Sequence, residues 1–203
     1  QKETKRLLDK DGIVIPSFFF KTEQQIKKEN IILWLANLSP GKQPDLFVKL
    51  MNECSQEGWS AILGGGTSDK SYEREILSAI EKETVSMKGQ IKFEDSFNYY
   101  LHSKIFVCTS LKEGLPNAYI QSWLNGTVVL SLHHDPNRWM ETHNIGYCSH
   151  GDFEALKVRL QQLMNAPEEL LEMSDNAFVF AKKTFANQSI IDEYIKLFER
   201  KIV

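Results

Sequence analysis

The stretch that decides the fold is residues 110–131, which read SLKEGLPNAYIQSWLNGTVVLS. A β-branched strand, Ile105–Thr109, is predicted to run into it, and a second apolar strand, Thr127–Leu132, to follow it. Between the strands Pro116 is predicted to open a helix, because proline is favoured in a helix's first turn. Asn125-Gly126 is predicted to end that helix. A strand, a helix and a strand in such close succession indicate a parallel sheet with helices on its faces.

The start of this helix is suited to an anion. The amides of Asn117 and Ala118 fall in the first turn, where backbone N–H groups lack intrahelical acceptors and meet the positive end of the helix dipole. Gly114 lets the backbone pass close to a ligand, and Glu113 supplies one carboxylate. Open α/β sheets bind ligands at the carboxyl ends of their strands. We therefore predict a phosphate-binding site here, with Glu113 beside it.

Size and composition predict one substantial core. The chain has 203 residues, of which 42% are hydrophobic. A net charge of −3 and a pI of about 6.0 give no indication of nucleic-acid binding. No apolar run approaches the roughly 20 residues that span a bilayer, and no signal peptide is recognised. The three widely spaced cysteines, Cys54, Cys108 and Cys148, are predicted to be reduced core residues of a cytoplasmic protein.

Strand and helix patterns alternate along the rest of the chain. The strands are apolar runs without polar alternation, which is typical of a parallel sheet buried on both faces. The predicted fold is therefore α/β, a Rossmann-like parallel sheet flanked by helices. The further strands are predicted at Ile31–Ala36, Trp59–Leu63, Val85–Met87 and Ile145–Cys148, and the further helices from Pro44, after a cap at Ser68 or Asp69, and at Phe97–Leu101, Asp152–Asn165, Pro167–Thr184 and Ser189–Lys201.

The stretch closely resembles the nucleotide-sugar motif of retaining glycosyltransferases of the GT-B fold, family 4, also called group 1. The family pattern Glu-Gly-Phe-Pro-Asn is matched by Glu113–Asn117. The second Glu of the family pattern is replaced by Gln121, and Ile120–Trp123 is similar to relatives that read Ile-Gln-Ala-Trp. The resemblance covers roughly residues 12–202, and it implies that the chain is the C-terminal, donor-binding lobe of such an enzyme.

The resemblance implies roles within the motif. Glu113 is the catalytic candidate, binding hydroxyls of the donor sugar. Gln121 would hydrogen-bond ribose hydroxyls through its amide, and a solvated helix glutamine is an equally good interpretation. The turn before and into the helix would cradle the diphosphate, which makes donor-binding candidates of Gly114, Leu115, Pro116, Asn117 and Ala118.

Two earlier loops also match the family. Its first strand ends in a turn where an Arg and, five residues later, a Lys grip the diphosphate. Lys42 is retained here, whereas Asn37 stands where the Arg is expected. A lysine is a point charge and does not reproduce the two-pronged contact of Arg, although Arg138 lies in a loop that could reach the same pocket. Gly65, in a Gly triplet after a strand, is either a nucleotide-approach residue or a plain tight turn.

The resemblance also implies the organisation and activity of the whole. Residues 1–29 are predicted to be an interdomain linker and residues 30–203 the donor-binding domain, with the N-terminal acceptor lobe absent. The partner is a nucleotide-diphosphate sugar. Its sugar passes with retention to an acceptor hydroxyl, in bacterial surface polysaccharide synthesis, without a metal or other cofactor. The isolated domain is expected to be inactive, and the full-length enzyme to be cytoplasmic or peripheral to the inner membrane.

Two alternatives remain open. The chain could be a non-catalytic module that only binds a nucleotide or sugar, which Asn37 and Gln121 favour. It could also belong to a sugar-nucleotide epimerase on the same fold. His133-His134-Asp135 is not predicted to bind a metal, because adjacent side chains diverge and no further ligand lies at suitable spacing. This loop follows a strand, and the alternative interpretation is that it lines the donor pocket.

Overall fold

A computed structural model describes residues 26–186 and 188–199, so residues 1–25 of the linker predicted for residues 1–29 lie outside the described range. Among the described residues a single parallel sheet forms the centre of the molecule. Its strands are β1 (Glu29–Leu35), β2 (Ser60–Gly64), β3 (Val85–Gly89), β4 (Ser103–Cys108), β5 (Val128–Ser131) and β6 (Gly146–Cys148). They lie in the order β3-β2-β1-β4-β5-β6, and each neighbouring pair is parallel. The predicted Rossmann-like α/β fold is confirmed.

Helices connect successive strands and cover both faces of the sheet. One predicted cap is observed, because the Asp69 carboxylate accepts from the backbone N–H groups of Ser71 and Tyr72. The helices are α1 (Pro44–Cys54), α2 (Lys70–Ser78), α3 (Phe93–His102), α4 (Asn117–Leu124), α5 (Trp139–His143), α6 (Phe153–Asn165), α7 (Pro167–Phe185) and α8 (Gln188–Glu199).

Two predicted helix starts are wrong. Helix α3 begins at Phe93 rather than Phe97, because Glu94 and Asp95 form a polar first turn that suits the helix dipole but shows no apolar periodicity. Helix α4 begins at Asn117 rather than Pro116. Pro116 has a ψ of 130° and is the extended capping residue, since the fixed φ of proline is compatible with either position. The other predicted bounds lie within two residues of the observed ones, and the short helix α5 was not predicted.

Apolar side chains fill both faces of the sheet. Neighbouring residues of β1 show this, since Leu33 packs with the aromatic residues of α4 while Trp34 packs with α1 on the opposite face. Trp123 of α4 is fully buried and meets Tyr119 and Phe180 edge-on. Strands buried on both faces explain why the sequence shows continuous apolar runs.

The three cysteines are buried and free, as predicted. Burial raises the pKa of the Cys54 thiol to about 11, so this side chain is an inert component of the core rather than a nucleophile. Among the described residues, no helix combines the length and apolar character that a bilayer crossing requires.

Candidate functional site

The strand order creates a crevice between β1 and β4. From β1 the sheet extends through β2 to β3 in one lateral direction, and through β4 and β5 to β6 in the other. The loops that leave the carboxyl ends of β1 and β4 therefore diverge, and such a switch point is where doubly wound sheets bind ligands. The first of these loops, residues 36–43, carries Asn37 and Lys42, and the second, residues 109–116, carries Glu113.

Lys42 and Glu113 meet across this crevice. The Lys42 ammonium donates to the Glu113 carboxylate as a salt bridge between groups 71 residues apart in the chain. The Lys42 side chain is 33% exposed and that of Glu113 16% exposed, so the pair is shielded but reachable from solvent. Two residues predicted from separate motifs are thus brought together. The arrangement places a cation and a carboxylate side by side at the sheet edge.

Thr109 joins the two loops through hydrogen bonds. Its hydroxyl accepts from the Trp34 indole N–H at 2.9 Å and lies 2.8 Å from the Lys42 carbonyl and 2.7 Å from that of Gln43. The Leu111 N–H donates to the Gly41 carbonyl at 3.0 Å. Because Thr109 and Trp34 are buried, the backbone that carries Lys42 is fixed to the core.

The start of α4 leaves backbone donors free. Tyr119 is the first residue of the helix whose N–H finds a carbonyl, that of Pro116 at 3.0 Å. The N–H groups of Leu115, Asn117 and Ala118 have no acceptor among the described residues. They lie in the loop of Glu113 and at the positive end of α4, so they can bind an anion.

A third loop, after β5, contacts both of the others. The His134 Nε2 lies at hydrogen-bonding distance from the Gly114 carbonyl. The His133 Nε2 lies 3.3 Å from the Gln43 side-chain oxygen. The prediction that this His-His-Asp segment lines the pocket agrees with these contacts. Within the described residues no group of three or more His, Cys, Asp or Glu side chains is arranged to hold a metal ion.

Gly65 has a structural reason to be glycine. Its φ is +147°, and a Cβ at this position would lie 1.7 Å from the Ala36 carbonyl oxygen. Its N–H donates to the Gly89 carbonyl at 2.8 Å, which continues the pairing of β2 with β3. This close approach of three backbones accounts for the glycine without any ligand.

The side chains of the remaining candidates make no hydrogen bond or ion pair with Lys42 or Glu113. Asn37 is exposed and Gln121 is half-buried, and neither side chain has a hydrogen-bond partner among the described residues. The Arg138 guanidinium pairs with Glu141 at 2.7 Å and is 74% exposed, so it is not brought to Lys42. Thr109, His133 and His134 matter more to the site than the sequence indicated. The available signal was their position, since each directly follows a buried strand or lies within three residues of its end.

Comparison with known proteins identifies the family to which the chain is similar. Residues 17–179 match the family model described as glycosyl transferases group 1. A curated relative from Haemophilus influenzae, an uncharacterized glycosyltransferase, is 24% identical over 189 residues. That alignment covers 90% of this chain and 53% of the relative. The chain thus spans about half the length of the protein that it matches.

Solved structures share the fold at low identity. TarM of S. aureus, solved with UDP among its ligands, superposes with a TM-score of 0.80 at 17% identity over 97% of this chain and 41% of its own. Sucrose-phosphate synthase from Thermosynechococcus elongatus has a TM-score of 0.78 at 18% identity, covering 99% and 56%. HepE of Anabaena, solved with UDP and glucose, has a TM-score of 0.73 at 16% identity, covering 85% and 49%. These neighbours confirm the predicted fold, a Rossmann-like α/β lobe of the GT-B type.

Proposed function

The chain belongs to the group 1 glycosyl transferases, and we propose that the carboxyl edge of its sheet binds the diphosphate of a nucleotide sugar for transfer of the sugar. The contact between Lys42 and Glu113, beside the free amides of α4, carries the proposal. A diphosphate needs cations and N–H donors, and a sugar needs acceptors for its hydroxyl protons. This crevice offers both kinds of group within one pair of loops.

The chemistry follows from these groups. As the bond between sugar and diphosphate breaks, negative charge grows on the leaving phosphate. The Lys42 ammonium and the N–H groups of Leu115, Asn117 and Ala118 would stabilise that charge, which is the largest electrostatic task in such a reaction. These groups would serve in place of a metal ion or other cofactor. Once the diphosphate occupies Lys42, the Glu113 carboxylate is released to accept from a donor hydroxyl.

The rest of the activity belongs to the whole protein. We propose family 4 chemistry, with retention at the transferred sugar and an acceptor hydroxyl in bacterial surface polysaccharide synthesis. The chain spans about half of its relatives, so residues 30–203 would be the donor-binding domain and residues 1–29 the linker to an N-terminal acceptor lobe. A cleft with one wall does not exclude water, so this domain alone should be inactive. Three buried free thiols favour a cytoplasmic location, with peripheral membrane contact through the other lobe.

Calorimetric titration of the chain with UDP, UDP-glucose and uridine tests the proposal. UDP is the nucleotide bound in the TarM and HepE structures. UDP should bind more tightly than uridine, because Lys42 and the helix amides contact phosphate. Equal affinity for UDP and uridine would contradict the assignment, and measurable sugar transfer by the isolated chain would contradict the inactivity proposed for it alone.

A second candidate is a non-catalytic nucleotide-binding module. Asn37 favours this candidate, because a neutral side chain stands where the family has an arginine. Among the described residues, Lys42 is then the cation that contacts Glu113. The two candidates differ in the full-length gene product. A module would bind UDP-glucose without consuming it in the presence of any acceptor hydroxyl, whereas a transferase would release UDP.

A further inference from the structure

We propose that His134 is a positioning residue of the diphosphate site, an inference that rests on the function proposed above. Its role would be to orient the peptide between Gly114 and Leu115. The imidazole Nε2–H donates to the Gly114 carbonyl from the loop that follows β5. In a trans peptide the C=O and N–H groups point in opposite directions. Holding the carbonyl toward His134 therefore aims the Leu115 N–H away from the histidine.

The Gly114–Leu115 peptide needs such a restraint. Glycine populates a wide range of backbone conformations, so a peptide beside it rotates at low cost. A Cβ placed on Gly114 would meet nothing within 4 Å, so packing does not restrain Gly114 itself, whereas the Leu115 side chain packs against the core. The Leu115 N–H also has no acceptor among the described residues. The contact with His134 is the hydrogen bond that restrains the orientation of the peptide that carries this donor.

His134 is itself fixed by the core. Its backbone N–H donates to the Ser131 hydroxyl at 3.0 Å, and that hydroxyl also accepts from the Tyr119 phenol at 2.8 Å. Ser131 and Tyr119 are fully buried, and Tyr119 lies on the helix whose start forms the site. The position of the imidazole is therefore tied to both β5 and α4. A rigid support of this kind holds a site more precisely than a loop does alone.

The neighbouring histidine extends the bridge to the other loop. The His133 Nε2 approaches the Gln43 side-chain oxygen at 3.3 Å. Its ring lies against Gly151, where a Cβ would come 3.5 Å from the His133 Nδ1. Gln43 directly follows Lys42. The loop after β5 thus contacts the lysine loop through His133 and the carboxylate loop through His134.

The test compares UDP and uridine binding to His134→Ala, His134→Gln and His102→Ala by calorimetry, with thermal melts of each variant. His102 is a matched control, because its Nδ1 also contacts a backbone carbonyl, that of Asn98, at the end of α3. His134→Ala should weaken UDP binding by about 3- to 10-fold, the range expected for one misdirected donor, and leave uridine unchanged. His134→Gln, which keeps an N–H donor, should recover some of the loss. His102→Ala should match the wild type.

The outcomes separate the two proposals. If the wild-type chain binds UDP and His134→Ala binds it equally well, the role of His134 is wrong and the proposed function stands. An equal loss for UDP and uridine, or a loss that follows the melting temperature, would make His134 merely structural. If the wild-type chain binds UDP no better than uridine, the proposed function fails and the role of His134 fails with it.

Discussion

Two lysines at opposite edges of the sheet, Lys42 and Lys28, have different surroundings and different roles. At the carboxyl edge Lys42 is partly exposed and contacts the carboxylate of Glu113. At the amino edge the Lys28 ammonium is largely enclosed by oxygen atoms of its own chain. These are the carbonyls of Tyr100 at 3.2 Å, Leu101 at 3.0 Å and Ser103 at 2.8 Å, and the Thr127 hydroxyl at 2.9 Å.

The difference lies in which partners a ligand can replace. The carbonyls around Lys28 include those of Tyr100 and Leu101, in the last turn of α3, so Lys28 caps that helix and has no capacity for a ligand. The partner of Lys42 is a side chain at a solvent-facing edge, and a phosphate can displace it. A cavity of about 590 Å³ opens beside Lys28 and Lys104 at the amino edge. This cavity lies at the edge opposite the one that carries the motif.

Gly65 lies at the carboxyl edge, the binding edge, yet its role is structural. Its substitution should give the largest change in stability. Gly65→Ala places a methyl group against the Ala36 carbonyl in a backbone conformation that alanine avoids. We expect a loss of about 3 kcal/mol or more in the free energy of unfolding, measured with denaturant. Gly41→Ala is the control, since a Cβ there meets nothing within 4 Å. Equal stability of the two variants would contradict the observed backbone contact.

Lys42→Ala sharpens the binding side of the comparison. It should weaken UDP binding by about 1.5–3 kcal/mol, because a charge-assisted hydrogen bond is lost and Glu113 remains as an uncompensated negative charge. The melting temperature and uridine binding should change little. Lys112→Ala, an exposed lysine in the loop of Glu113, is the control and should bind UDP like the wild type. A similar loss for uridine would show that Lys42 does not contact phosphate.

Lys28→Met sharpens the structural side. It removes the donor from the end of α3, and we expect a loss of about 1–3 kcal/mol in unfolding free energy with UDP binding unchanged. Lys27→Met, at the exposed neighbouring position, should leave stability unchanged. Weaker UDP binding by Lys28→Met in a folded protein would break the separation of the two edges.

The wild type and Lys28→Met should also differ in pH dependence. Burial lowers the pKa of Lys28 to about 7, while a lysine in the unfolded chain titrates near about 10.4. Between these values the unfolded chain binds more protons, so this group makes stability rise with pH, by at most about 1.4 kcal/mol per unit. Urea unfolding between about pH 7 and about pH 9 should show this increment in the wild type relative to Lys28→Met. Parallel curves would contradict a lowered pKa.

Glu113→Gln should change UDP binding less than Lys42→Ala does, and in the opposite direction. Because Glu113 competes with phosphate for Lys42, its neutral variant should bind UDP about 2- to 5-fold more tightly, as expected for a pair of this exposure. In the full-length enzyme the transfer rate should fall by about tenfold or more, since the sugar loses its carboxylate. Glu141→Gln, whose partner Arg138 lies on the exposed surface, is the control. Weaker UDP binding by Glu113→Gln would refute the competition.

The residues alone predicted what is local, whereas the family resemblance was needed to assign Lys42 and Glu113 to one site, and their direct contact was not predicted. Glu113 and the start of α4 are neighbours in the chain, so their proximity followed from the motif. The contact of Glu113 with Lys42 and that of His134 with Gly114 depend on β1, β4 and β5 being adjacent in the sheet. Hydrophobic periodicity finds strands but does not order them. The reason that residue 65 is a glycine could not be predicted either, because Ala36, which its Cβ would meet, lies in the loop after a different strand.

A diphosphate is expected to bind at the carboxyl edge of the sheet, between Lys42 and the start of α4. The most direct measurement is a titration of the isotope-labelled chain with UDP, following backbone amide signals by NMR. The amides of Leu115, Asn117 and Ala118 should shift with one common affinity, while those of Leu101 and Ser103, around Lys28, should stay in place. Shifts confined to residues around Lys28, or unmoved signals at the start of α4 under saturating UDP, would show that the diphosphate does not bind at this edge.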